Sequence, residues 1–122
     1  MATKTSTIET RAAATLVVTW AGLANGDNGA FIELPFACSL ELEAVGTFGA
    51  GGSMTLQGTN DKAAPSFGNL TAKSGTAVLA ITAQGVRAAN ESPLVVRPAV
   101  TAGDGTTSLT AILVAKRLER QA

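Results

Sequence analysis

The chain has 122 residues, a length that fits one domain with its own core. Only 15% of its residues are charged, and nine basic residues balance nine acidic ones. It contains no histidine and no tyrosine, which excludes Ser-His-Asp and Cys-His catalysis and zinc sites built on Cys and His. A neutral chain also argues against a nucleic-acid partner. We therefore expect no enzyme, no cofactor and no nucleic acid.

The N-terminal residues 1–11 mix Thr, Ser and charged side chains with a single Ile8 and show no core pattern. They predict a flexible arm, which in an assembly would cross to a neighbouring subunit or to the capsid by strand addition. The apolar run at 12–24 is too short for a membrane span, which needs about 20 apolar residues. We therefore expect no membrane partner. Residues 119–122 are interpreted as a C-terminal tail.

Strand patterns follow at short intervals from residue 14 onward, separated by turns rich in Gly, Asn and Asp. The clearest is 38–48, where apolar residues alternate with Ser39, Glu41 and Glu43 as in a half-buried strand. Pro98 removes one donor from the strand at 94–101. The predicted strands are 14–20, 30–36, 38–48, 53–58, 76–83, 94–101 and 107–118.

About seven to eight short strands with turn signals every 8–12 residues predict an all-β fold. We expect a single antiparallel β-sandwich, jelly-roll-like, over 12–118, with 1–11 as an extended arm. Cys38 is interpreted as a small buried residue and not as a reactive thiol. The residues expected to face inward are Leu16, Val18, Trp20, Cys38, Leu40, Leu42, Ala44, Met54, Leu56, Leu109, Ala111, Leu113 and Ala115.

Carboxylates are the remaining candidates for chemistry. Glu41 and Glu43 share one strand face, so paired-carboxylate hydrolysis is an open alternative, although a solvated outer face is the favoured interpretation. Asp27, Asp61 and Asp104 each lie beside Asn or Gly. Their spacing matches no calcium-loop motif, and Asx turns explain them better. The sequence thus predicts no catalytic residue and no metal ligand.

Aromatic residues make up only 4% of the chain. Phe67 lies in a predicted loop, where with Asn60 and Asp61 it forms a candidate adhesive loop for a sugar. Arg97, in the stretch LVVRPAV, is either an outward residue at a sheet edge or a charge paired across an interface. The aromatic residues expected in the core are Trp20, Phe31, Phe36 and Phe48.

Three segments occur in a characteristic order. They are VGTFGAGGSMTLQGTND at 45–61, LVVRPAV at 94–100 and AGDGTT at 102–107. This order resembles small virion structural proteins of tailed bacteriophages, of the capsid decoration (cement or minor capsid) type. The segment ending in Asn60-Asp61 is also similar to discoidin-like sandwiches. It departs from them after Asp61, where Ala63-Ala64-Pro65 stands in place of an aromatic residue.

The phage resemblance implies a protein on the capsid surface of a virion, assembled in the host cytoplasm. It would bind the major capsid protein as a homotrimer and stabilise the shell without chemistry. The alternative is a glycan- or receptor-binding adhesive module of a virion fibre or tail, using Asn60, Asp61 and Phe67. The candidate interface residues are Thr5, Thr7, Ile8, Arg11, Arg97 and Arg117.

Overall fold

The computed structural model describes residues 3–12, 15–34, 38–73 and 75–117. Within them the chain forms two mostly antiparallel β-sheets that pack against each other, so the predicted all-β sandwich is confirmed. None of these residues belongs to a helix long and apolar enough to cross a membrane. The predicted tail at 119–122 lies outside the described residues.

The first sheet has the order β1-β4-β10-β7-β8, and β5 also pairs with β10. Its strands run antiparallel except for β1 and β4, which are parallel. They are β1 (Thr3–Lys4), β4 (Asn28–Gly29), β5 (Ile32–Glu33), β7 (Ser53–Thr59), β8 (Gly68–Asn69) and β10 (Val95–Ala102).

The second sheet has the order β2-β3-β11-β6-β9 and is antiparallel throughout. Its central strand β11 pairs along its whole length with β6. The described residues hold eleven strands, more than the seven to eight predicted, because four strands of the first sheet have only two residues each. The strands of the second sheet are β2 (Thr7–Ala12), β3 (Thr15–Leu23), β6 (Cys38–Thr47), β9 (Gly85–Ala88) and β11 (Ser108–Arg117).

The core lies between the sheets and is built by the period-two pattern of β3, β6, β7 and β11. The thirteen positions that the alternation predicts to face inward are all buried, Trp20 and Cys38 among them. Phe48, also expected in the core, is partly buried against it, and Phe36 lies outside the described residues. Each fully buried aliphatic side chain of this kind contributes about 1.5–3 kcal/mol to the free energy of unfolding. The alternation therefore sets the register of each strand, since a slip by one residue would turn these side chains to solvent.

Two predicted elements differ from the structure. Residues 76–83 do not form a strand, because only Val78 and Ile81 make isolated bridges, to Thr71 and Met54. Their apolar residues are consecutive in the sequence and do not alternate with polar ones. The segment buries Leu79 and Ile81, while Val78 is exposed. Strand β9, over residues expected to be a turn and a connection, pairs with β6 instead.

The N-terminal arm was expected to lie outside the sandwich, but its described residues form edge strands. β1 pairs with β4 in the first sheet, and β2 pairs with β3 in the second. Backbone ladders at an edge need no apolar side chain, which explains why no core pattern marks these residues. Ile8 lies opposite Val18 and so points toward the core side, yet it is 58% exposed because the edge extends beyond the core.

One buried contact joins the two sheets. Trp20 of the second sheet is fully buried, and its Nε1 donates to the carbonyl of Ala30 in the first sheet at 2.9 Å. Ala30 lies in the gap between β4 and β5 that faces Pro98, which has no N–H to offer. The amide of Ala30 donates to the Lys4 carbonyl at 2.7 Å. The chain bulges at 29–31, because Ala99 pairs with Asn28 whereas Val96 pairs with Ile32, and the indole donates to a carbonyl within this bulge.

Gly29 allows this contact, because it lies directly against Trp20 and Pro98. A Cβ at Gly29 would lie 2.7 Å from Trp20 Cδ1 and from Pro98 Cδ. We expect Gly29→Ala to lower the free energy of unfolding by about 1–3 kcal/mol through overpacking, measured by urea denaturation. Gly105→Ala is the control, since a Cβ there would meet nothing within 4 Å. Equal unfolding midpoints for the two variants would contradict the packing described.

Candidate ligand-binding cleft

An open cleft of about 540 Å³ lies over the outer face of the first sheet. This volume falls within the range of small-molecule sites, about 300–1,000 Å³. The bulge at 29–31 forms one wall, and the loop after β7 forms another. The residues that line it are Thr3, Gly29, Ala30, Phe31, Pro65, Phe67 and Arg97.

Two phenylalanines form the apolar part of the cleft. The ring centroids of Phe31 and Phe67 are 5.8 Å apart and the rings are tilted by 43°. The prediction that Phe31 belongs to the core is wrong, because its side chain is 50% exposed. Ile32 and Leu34 are buried on either side of Glu33, so the period of two along this segment turns Phe31 outward. That alternation was the signal in the sequence that could have identified it.

Arg97 forms the polar part of the cleft. Its Nε donates to Gln57 Oε1 at 2.9 Å, and its guanidinium carbon lies 4.0 Å from the centroid of the Phe67 ring. Burial lowers the pKa of Arg97 from its ordinary value. The sequence left two interpretations of Arg97 open, an outward residue at a sheet edge or a charge paired across an interface. Arg97 does point outward, but it belongs to the inner strand β10 and not to an edge.

A row of hydrogen-bonded polar side chains extends from Arg97 across the sheet. Register places Arg97 opposite Gln57 and Gln57 opposite Asn69, so the three side chains share one face. Gln57 Nε2 donates to Asn69 Oδ1 at 3.0 Å. Sequence reasoning missed Gln57 and Asn69, because their adjacency depends on strand pairing between distant segments.

The loop that carries Phe67 is held by the other two residues of the predicted adhesive loop. Asn60 Oδ1 accepts from the Leu94 amide at 2.9 Å. Asp61 Oδ1 accepts from the amides of Ala63 and Ala64, both at 3.1 Å. Neither Asn60 nor Asp61 lines the cleft. The structure therefore separates these two from Phe67 and assigns them to shaping the loop.

An ion pair also ties this loop to the bulge side of the cleft. Lys62 Nζ lies 3.0 Å from Glu33 Oε1, and Glu33 belongs to β5, two residues after Phe31. Both side chains are about half exposed, so the pair contributes little stability. The pair nevertheless connects the loop that carries Phe67 to the strand that follows Phe31.

Four other candidate interface residues are not brought to the cleft. Thr5, Thr7 and Ile8 are exposed on the N-terminal edge, and Arg117 is exposed at the end of β11. None of these four lines the cleft. Arg11 lies within β2, but its side chain is outside the described part of the chain. The arginine proposed for an interface and the aromatic residue proposed for adhesion, Arg97 and Phe67, are instead in one site.

Other reactive groups are arranged for structure. Burial raises the pKa of the Cys38 thiol, whose Sγ lies 3.5 Å from Ser92 Oγ. Glu41 and Glu43 share the outer face of the second sheet, and Glu41 Oε1 lies 4.0 Å from Lys116 Nζ. Within the described ranges, no group of three or more His, Cys, Asp or Glu residues is placed to hold a metal ion.

The cleft combines a cation and two aromatic rings, and the amide row extends from Arg97 beside it, an arrangement that suits binding of a polar organic ligand. A half-buried guanidinium can hold a carboxylate with two parallel hydrogen bonds. A scan of protein-family models, a search of curated proteins and a search of solved structures each found no match.

Asp104 connects two loops at one end of the sandwich. Its carboxylate accepts from the Ala50 amide at 2.8 Å, from the Thr106 amide at 2.8 Å and from Thr106 Oγ1 at 2.6 Å. These hydrogen bonds, that from the Thr106 side chain first, lower the pKa of Asp104 to about 2. Thr107 Oγ1 donates to the Phe48 carbonyl at 2.7 Å. The β6–β7 and β10–β11 connections are thus held together.

This network predicts a pH dependence of stability. The pKa of Asp104 is about 2 in the folded chain against an ordinary value of 3.8. Its stabilising contribution is therefore complete above the ordinary value and is lost as the pH falls through both values. We expect Asp104→Asn to lower the urea midpoint at neutral pH and to flatten the decline between about pH 4 and pH 2. An unchanged decline in the variant would contradict this role.

Proposed function

We propose that the protein is a non-enzymatic virion structural protein that decorates and stabilises a phage capsid. It would bind major capsid subunits on the capsid surface as a homo-oligomer, with a trimer as the expected state. The ordered segments at 45–61, 94–100 and 102–107 support this proposal through their resemblance to phage decoration proteins. The structural observation that supports it is an outward-facing sheet surface with an apolar centre.

This outward face belongs to the second sheet and has an apolar centre. Register places Thr19 beside Ile112, and Val17 beside Val114. Val17 is buried by its neighbours, while Ile112 and Val114 are half-buried. We call this set the β3–β11 stripe; its members are Val17, Thr19, Thr110, Ile112 and Val114.

Acidic side chains flank the stripe. Glu9 of β2 lies on one side of it, and Glu41 and Glu43 of β6 lie on the other. β-branched residues have little side-chain freedom to lose when they are buried. A capsid subunit that presents an apolar ridge bordered by Lys or Arg would therefore complement this face in shape and charge.

The N-terminal edge supports self-association. β2 ends the second sheet, and its outer backbone edge faces away from β3. Such an edge accepts a strand from another chain, and Thr7 and Ile8 lie along it. Within the single chain the described arm residues pair with β4 and with β3, and their crossing to a neighbouring subunit or to the capsid stays a prediction. Another copy of the chain would join at the edge that the arm creates.

The second candidate function is a glycan-binding adhesive module of a virion fibre or tail. The specific observation that favours it is the cleft, where Phe31, Phe67 and Arg97 come together on an exposed face. Sequence reasoning located this function in the loop 60–68. In this proposal the sugar would instead contact the bulge, the loop tip and β10, which carry Phe31, Phe67 and Arg97.

Ile112→Glu tests decoration, because it places a charge in the middle of the β3–β11 stripe. We expect its number of copies per purified virion to fall by at least about tenfold, the effect of about 1.4 kcal/mol of binding free energy. The milder Ile112→Thr keeps a β-branched side chain, and we expect a smaller loss. Copies are counted by quantitative mass spectrometry against the major capsid protein, with a wild-type ratio near one.

Thr101→Glu is the matched control, since Thr101 is exposed on the first sheet. Thermal unfolding of each purified variant shows that it is folded. Wild-type occupancy for folded Ile112→Glu would contradict the role of the stripe. A wild-type ratio of only a handful of copies per virion would contradict decoration and favour a neck, tail or fibre position.

A further inference from the structure

We propose that the cleft binds a sugar that carries an acidic group, with Arg97 holding the anion and the Phe31–Phe67 pair holding the apolar face of the sugar ring. This inference rests on the second candidate function, glycan binding, and names its ligand class. It does not depend on capsid decoration, because the two faces involved belong to different sheets.

The charge of the cleft favours an anion. Among the described residues that line it, Arg97 is the only charged one and none is a carboxylate. Within the described ranges Arg97 makes no ion pair, whereas the nearby Lys4 lies 3.6 Å from Asp27 and Lys62 lies 3.0 Å from Glu33. Of the five guanidinium N–H groups, the one on Nε donates to Gln57. The terminal nitrogens can therefore form a bidentate pair with a carboxylate from a ligand.

The aromatic pair favours a saturated ring over a nucleobase. Insertion of a flat base between two rings needs a separation of about 7 Å, two layers of carbon contact. The Phe31 and Phe67 centroids are only 5.8 Å apart and the rings are tilted by 43°, so they contact each other and leave no slot. They offer a joint outer surface, whose electron-rich faces attract the C–H groups of a sugar. The formal net charge of zero also disfavours a polynucleotide, whose binding depends on many Lys and Arg contacts to phosphates.

The amide row adds hydrogen-bonding groups for hydroxyls. Asn69 is exposed, and its Oδ1 already accepts from Gln57 Nε2. This contact fixes the amide orientation, so that the Asn69 NH₂ remains as a donor. Gln57 is in turn fixed by Arg97 and Asn69. The row therefore presents donors in a set geometry next to the guanidinium, which lowers the entropy cost of binding.

Calorimetric titration of the purified full chain tests the ligand class. The probes are the methyl glycosides of glucuronate, galacturonate and N-acetylneuraminate, the neutral methyl glucoside and galactoside, and acetate. We expect at least one acidic sugar to bind with a Kd of about 1 mM or lower. Its neutral counterpart and acetate should bind at least about tenfold more weakly, because each provides only one half of the contact.

Variants separate the contributions of charge and aromatic surface. Arg97→Gln should weaken the acidic sugar by about tenfold or more and leave the neutral sugar unchanged. Arg97→Lys should restore only part of the affinity, since an ammonium cannot form the bidentate pair. Phe67→Leu should weaken both sugars. Arg87→Gln is the matched control, because Arg87 lies exposed in β9 of the other sheet.

The outcomes distinguish this inference from the function on which it rests. Equal affinity for acidic and neutral sugars, unaffected by Arg97→Gln, would overturn the acidic ligand class and leave glycan binding standing. Binding that is retained in both folded Arg97→Gln and folded Phe67→Leu would overturn the site. No binding to any sugar of the panel would overturn both the ligand class and glycan binding. The virion occupancy of Ile112→Glu would still decide decoration.

Discussion

The hydrogen bond from Trp20 to Ala30 is the interaction on which the rest of the structure depends. It joins the second sheet to the bulge of the first and gives the Ala30 carbonyl a partner. A partly buried carbonyl without a partner would cost up to about 1–3 kcal/mol, so the indole stabilises the bulge at 29–31. The bulge in turn brings β1 onto the first sheet through the Lys4 carbonyl. The β1 edge of the first sheet and one wall of the cleft therefore share one support.

The sandwich separates two kinds of surface onto its opposite faces. The first sheet carries a concave site with one arginine, two phenylalanines and a row of amides. The second sheet carries a flatter face with an apolar centre and acidic borders. A concave site suits a small ligand, whereas a flat face of β-branched residues suits a protein. The two faces therefore differ both in shape and in how their few charged side chains are arranged.

Patterns within single strands predicted the core. The features that these patterns did not predict depend on pairing between distant segments of the chain. The alternation of inward and outward residues is visible within a single strand. The burial of Leu40, Leu42 and the other inward residues could therefore be predicted from the sequence. The cleft could not be assembled in this way, because Phe31, Phe67 and Arg97 come from three segments joined only by register. The edge strands of the arm were missed for a related reason. Their hydrogen bonds are made by the backbone and leave no mark on side-chain composition.

Removal of the indole N–H alone is the most direct test of this account. Replacing Trp20 with 3-benzothienylalanine keeps the size and shape of the ring and puts sulfur where the donor was. Native-state hydrogen exchange then reports on each amide. We expect the Ala30 amide, which donates to Lys4, to exchange at least about tenfold faster, while amides between β6 and β11 keep their protection. Unchanged protection at Ala30 would contradict the claim that this hydrogen bond holds the bulge.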